Sequence, residues 1–201
     1  MDDAASVVPV FFYVAVAVLA LVGALGLRLA AQAWRQGSAA EGLLAAFFLG
    51  GFVGFGPEVA SNTFELAHGT DEMLRFVAFL GFRIPGLAIA LFTWHVFRAD
   101  DKWAMALAPL LIAVILSSAL ALGGPISGEP PIPVSFWVGT GAQAVAFLWA
   151  ALEAFRFHAL SRKRLALGIG DPITANRFLL WALWTGCACI SLALKVSDTV
   201  L

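Results

Sequence analysis

Six apolar runs, each long enough to cross a bilayer, follow one another within a chain of 201 residues. A hydrocarbon core of ~30 Å takes about 20 apolar residues in helical form. Lipid offers the backbone no hydrogen-bond partner, so such a run must satisfy its own amides and carbonyls, as a helix does. The expected fold class is therefore all-α: an integral membrane bundle of six transmembrane helices, forming a single domain over residues 1–201. Hydrophobic residues make up 61% of the chain and charged residues only 12%, with a mean hydropathy of +0.91. That balance excludes an ordinary soluble domain. The basic residues lie in short loops, with no patch beyond Arg162-Lys163-Arg164, so nucleic acid is not an expected partner.

Local signals place the span boundaries. The first run extends from Val8 to Trp34. Because Met1-Asp2-Asp3 carries no basic segment ahead of it, it reads as a retained span rather than a cleaved signal. The second, Glu41 to Leu66, is introduced by Ser38-Ala39-Ala40-Glu41, the S-x-x-E pattern of a capping box. Gly69 is expected to close that helix in the left-handed conformation and Thr70 to cap the third, Glu72 to Phe97. Asp100 and Asp101 stand as caps before the fourth, Lys102 to Leu122. A Gly/Pro-rich loop through Pro133 separates it from the fifth, Val134 to Phe157. Asp171 as N-cap and Pro172 at the first helical position open the sixth, which runs to the C-terminus.

Orientation follows from loop cations. Arg28, Arg35, Arg98, Lys102, Arg156, Arg162, Lys163, Arg164 and Arg177 fall at one side, whereas the other holds Asp2, Asp3, Asp71, Glu72 and Glu129 with Arg75. The positive-inside rule then puts both termini outside the cytoplasm. Trp34, Trp94, Trp103 and Trp181 near one side and Trp137 near the other fit an aromatic belt.

Charges inside the runs carry the functional signal, since an ionisable group there costs roughly 2.5–3.5 kcal/mol on insertion scales. Counted at 1.5 Å per residue, Glu58 lies about 12 Å, Gln143 about 15 Å and Arg83 about 17 Å below the outer ends of their spans. Glu58, Asn62 and Glu65, spaced i, i+4, i+7, share one face of the second helix; Cys187, Ser191, Lys195 and Asp198 share one face of the sixth. If those stripes face each other, two acids and two bases balance. Glu58, Asn62, Glu65, Arg83, Gln143, Ser191, Lys195 and Asp198 are thus the candidate ligand-binding residues, with a structural ion-pair network as the competing reading. Pro57 and Pro85 would break helices beside these charges. Gly50-Gly51-Phe52-Val53-Gly54 contains G-x-x-x-G, read first as close helix packing.

No G-x-S-x-G, H-E-x-x-H, C-x-x-C or Walker pattern occurs, which leaves no catalytic residue, metal ligand or cofactor to name. Cys187 and Cys189 diverge by about 200° on a helix and read as packing residues. His95 and His158, at one level on different helices, are the only pattern for axial haem ligation. Lys195 lies too near the outer end for a mid-membrane Schiff base.

Phe92-Thr93-Trp94-His95-Val96-Phe97-Arg98-Ala99-Asp100-Asp101-Lys102-Trp103 and Gly168-Ile169-Gly170-Asp171-Pro172-Ile173-Thr174-Ala175-Asn176-Arg177-Phe178-Leu179-Leu180-Trp181 resemble segments of uncharacterised bacterial multi-spanning inner-membrane proteins. The resemblance implies a bacterial inner membrane and carries no activity. The expected function is non-enzymatic: a ligand sensor or an accessory subunit of a membrane complex, touching membrane lipids and either a membrane-protein partner or a small ligand. A solute or ion transporter and a haem-binding redox anchor are the alternatives.

Overall fold

A computed structural model describes residues 4–64, 68–122 and 133–200. They form six α-helices and, among the described residues, no strand: α1 (Ala4–Gln36), α2 (Ala39–Thr63), α3 (His68–Phe97), α4 (Lys102–Leu122), α5 (Val134–Ala166) and α6 (Pro172–Val200). All six are long and apolar enough to cross a membrane. Helices adjacent in sequence pack side by side and antiparallel. Gln32 meets Glu41 and Phe12 meets Phe64 across α1 and α2; Trp103 meets Trp149 across α4 and α5; Phe157 meets Phe178 across α5 and α6. α3 and α5 run parallel and also touch. The end holding the α1–α2, α3–α4 and α5–α6 junctions is called the basic end below, and the opposite one the terminal end.

The caps mix expected and unexpected chemistry. The Ser38 hydroxyl accepts from the Glu41 amide at 3.4 Å, but the Glu41 carboxylate accepts from Gln32 Nε2 at 2.7 Å instead of reaching back, so half of the capping box forms. Asp171 accepts from the Ile173 and Thr174 amides at 3.0 and 3.1 Å, as its position before Pro172 predicts. The Thr174 hydroxyl, the first cause, and those amides hold the Asp171 carboxyl below its usual range. Asp101 offers α4 its backbone carbonyl, because its carboxylate is taken by Arg98.

The start of α3 and the end of α5 differ from expectation. α3 starts at His68, and Gly69 lies inside it without a positive φ; among the described residues the left-handed glycines are Gly37 and Gly168. The side chain of Asp71, bonded by the Ser61 hydroxyl, ties the start of α3 to α2. α5 continues past Phe157 to Ala166, since the Arg162-Lys163-Arg164 stretch consists of good helix formers. Gly168 then ends it in a Schellman arrangement, with Gly168 N–H on Leu165 O and Ile169 N–H on Arg164 O. Pro57 and Pro85 sit inside continuous helices.

Glycines set how closely the bundle packs. A Cβ on Gly81 would lie 2.5 Å from the Gly54 amide nitrogen, and one on Gly50 would lie 2.6 Å from Ile84 Cβ. The G-x-x-x-G of α2 is thus a backbone-to-backbone seam against α3. Toward the basic end, Phe47, Ile89, Phe92, Ala108, Ala146, Phe147, Trp149 and Ala150 form one apolar core. Trp181 packs on Phe47 and Phe92, so it and the half-buried Trp94 belong to this core rather than to an interfacial belt; Trp34 is 91% exposed and suits such a belt.

Candidate functional site

Arg83 projects from α3 into the bundle and is 5% exposed. Its surroundings come from α5. Nη1 donates to Gln143 Oε1, and Nη2 to Thr140 Oγ1 and the Phe136 carbonyl, each at 3.4 Å. The guanidinium carbon lies 4.5 Å from the Phe79 ring centre and 5.7 Å from that of Phe136, and these two rings stack at 6.0 Å. The space for the guanidinium exists because position 139 is glycine. A Cβ there would run into the Ser118 hydroxyl of α4 and stand 3.2 Å from Arg83 Cζ.

Gln143 is held on its other side by Nε2 donating to the Phe82 carbonyl at 2.7 Å. Its methylenes press on Gly86, where a Cβ would lie 2.7 Å away. The cage is thus rigid, and every acceptor around Arg83 is neutral. Arg83 Nε has no hydrogen-bond partner, and no described carboxylate pairs with this guanidinium. A buried cation without a countercharge is costly. The two aromatic faces return part of that cost through cation–π attraction.

Of the eight sequence-derived candidates, Arg83 and Gln143 come together. Glu58 is half-buried on α2 and makes interactions of its own, but it is not among the partners of Arg83. It stands one helical turn beyond Gly54, on the α3-facing side. Asn62 is exposed. Ser191 is exposed too and returns its hydroxyl to the Cys187 carbonyl at 3.0 Å. Glu65 lies outside the described residues, and the side chains of Lys195 and Asp198 are likewise outside them. The expected meeting of the α2 and α6 stripes falls on side chains outside the described residues, and the two helix backbones make no close approach. Their side chains touch toward the basic end, through Phe47–Trp181 and Phe48–Trp184.

A second polar cluster escaped the sequence reading. At the basic end, Arg98 donates from Nε to Glu153 and from Nη1 to Asp101, both at 2.7 Å, with its guanidinium 5.5 Å from the Trp103 ring. Arg156 approaches the other Glu153 oxygen at 3.7 Å, and Glu153 itself is 6% exposed. Desolvation lowers the Arg98 pKa, but hydrogen bonds and charge attraction from Asp101 and Glu153 outweigh it and raise the value overall. The available signal was Arg98-x-x-Asp101 at one junction and Glu153-x-x-Arg156 at the same level.

His95 is exposed, while His158 Nδ1 sits 2.8 Å from the Ala175 carbonyl and so donates a proton to it, pinning the ring to α6. No group of three or more metal-capable side chains occurs among the described residues. Cys189 is half-buried and points its thiol at the Ala144 carbonyl at 3.7 Å, and Cys187 is exposed; both are free. Compared with known proteins, the chain matches no family model, no curated protein and no solved structure. What fold and site define is a class: a multi-spanning helical membrane protein with a caged arginine within the span.

Proposed function

We propose that this is a non-enzymatic membrane protein whose polar site in the terminal half, centred on Arg83 and Gln143, recognises an anionic group, and that it acts as a ligand sensor or accessory subunit. The observation that carries this reading is the buried Arg83 guanidinium, held by neutral acceptors and with Nε left over. Phosphate or carboxylate matches a guanidinium in charge and planar geometry, and a preorganised cage spends little entropy on binding. In this reading the basic end faces the cytoplasm of a bacterial inner membrane, and the termini and Arg83 half face outward.

A transporter needs a path through the other half. Ile89, Ala90, Ala108 and Ala150 are fully buried there, each at 0% exposure, which supports a closed site over a conduction route. The test is purification of the full chain from native membranes beside Arg83→Gln. A stoichiometric partner chain, or a small anion that raises the unfolding temperature, should accompany the wild type and be lost in the variant. Proteoliposome flux of an anion that disappears in Arg83→Gln would overturn the reading in favour of a carrier.

A further inference from the structure

The outermost helix carries a second cationic site, unrelated to Arg83. Among the described residues α1 packs against α2 alone. Tyr13, Val14, Val18, Leu21, Leu25 and Leu27 are exposed along it, so most of its surface is offered to lipid. Near its basic end that apolar surface gives way to Arg28, Ala31, Gln32, Arg35 and Gln36, which line one shallow, open cavity on the surface of this helix, with both arginines exposed. Their spacing of i, i+3, i+4, i+7 and i+8 makes this a single helix face.

Three features make this face a binding site rather than a solvated helix end. Arg28 lies inside the candidate span Phe12–Gln36, eight residues and therefore about 12 Å from its end. A guanidinium at that depth calls for a countercharge. Among the described residues neither Arg28 nor Arg35 has an ion-pair partner. Gln32, between them, is not free to fold over either one, because its Nε2 is engaged by Glu41 at 2.7 Å. The Glu41 carboxylate is turned toward Gln32, with its second oxygen buried.

We propose that this cavity holds the phosphate of one anionic phospholipid, drawn from the leaflet at the basic end, with Arg28 and Arg35 as paired ligands. A lipid suits the depth, because its acyl chains continue along the exposed Leu25 and Leu27 surface while its phosphate meets the cations. Two guanidiniums about two helical turns apart on one face, each on a long flexible stem, can both bind phosphate oxygens in a charge-assisted way. The site depends on α1 spanning the membrane and not on the reading of Arg83, so either can fail alone.

Native mass spectrometry of the full chain, delipidated and titrated with phosphatidylglycerol, phosphatidylcholine or inorganic phosphate, tests it. One phosphatidylglycerol should be retained, and Arg28→Gln/Arg35→Gln should weaken that retention roughly tenfold or more, given the contribution of each basic residue at an anionic leaflet. Phosphatidylcholine should bind equally weakly to both. If the double variant retains phosphatidylglycerol as the wild type does, the site is wrong. Competition by millimolar inorganic phosphate would instead assign the cavity to a soluble anion and overturn the lipid proposal. Arg28→Lys/Arg35→Lys keeps the charge and guards against a folding defect: a partial loss supports paired guanidinium recognition, and no loss refutes it.

Discussion

Two arginines, Arg83 inside α3 and Arg98 just past its last residue, show what a bundle of this kind does with buried charge. Arg98, at the basic end, meets two carboxylates at 2.7 Å each. Arg83, about 22 Å away along α3 by its rise per residue, meets only neutral acceptors at 3.4 Å. Both cross to α5, and both lean on aromatic rings. The difference is compensation. Arg98 and Glu153 close a clamp in which opposite charges meet, with the second Glu153 oxygen facing Arg156 at 3.7 Å, and its job is complete when the helices are docked. Arg83 is shaped, oriented and walled in, yet still carries an unneutralised charge, which suits a group waiting for an anion.

The largest effect should come from opening the clamp. Glu153→Ala leaves Arg98 partly buried with only the exposed Asp101, and loss of one partner of a buried pair costs about 3 kcal/mol or more. Unfolding in detergent followed by tryptophan fluorescence should register it, and the Arg98→Met/Glu153→Leu double replacement should recover most of the loss. A double variant as unstable as the single one would show that the clamp is not a closed pair.

Next in size, Gly139→Ala forces a methyl group into Ser118 and against the Arg83 guanidinium, an overpacking cost of about 1–3 kcal/mol. Ser118→Gly in the same chain should relieve it, because that removes the nearest obstacle. Persistence of the full defect would mean that the arginine, not the serine, sets the space.

Arg83→Met is where the two arginines should part most clearly. Removing an uncompensated charge should leave stability within about 1 kcal/mol of wild type, since the relief of desolvation offsets the hydrogen-bond acceptors left open at Gln143 and Thr140. Arg98→Met should destabilise. Equal losses in equilibrium unfolding would erase the distinction and make Arg83 a structural residue.

The smallest effect is local and pH-dependent. The Asp171 carboxyl titrates below its usual range in the folded chain. Its capping contribution is therefore present at neutral pH, above the unfolded-state value, and fades as pH falls through the depressed folded value. Hydrogen exchange at the Ile173 and Thr174 amides should quicken over that acidic window. Asp171→Asn should exchange at a nearly pH-independent degree of protection there, while the Arg83 and Arg98 regions stay unchanged.

The depth of Arg83 and Gln143 could be read from the chain because rise per residue is a constant, and the two do meet. Their company could not. The i, i+4, i+7 stripe on α2 and its counterpart on α6 identify a face but not a neighbour. Glu153 went unnoticed for a related reason: a charge near a span end is ordinarily solvated, and only the approach of Arg98 across the α3–α5 contact makes it buried.

Length and apolarity by themselves determined that the chain forms six helices, because lipid leaves a long apolar segment no other local way to satisfy its backbone. Cap residues such as Ser38 and Asp171 were likewise local statements, settled within a few residues of one another. Lateral order was not. In a membrane, the face of a helix turned to lipid and the face turned to another helix are both apolar, so hydrophobic pattern does not say which helices touch. Only tertiary packing, through Gly54 on Gly81, Gly139 on Ser118 and Arg98 on Glu153, decided which arginine received a carboxylate and which was left with its charge.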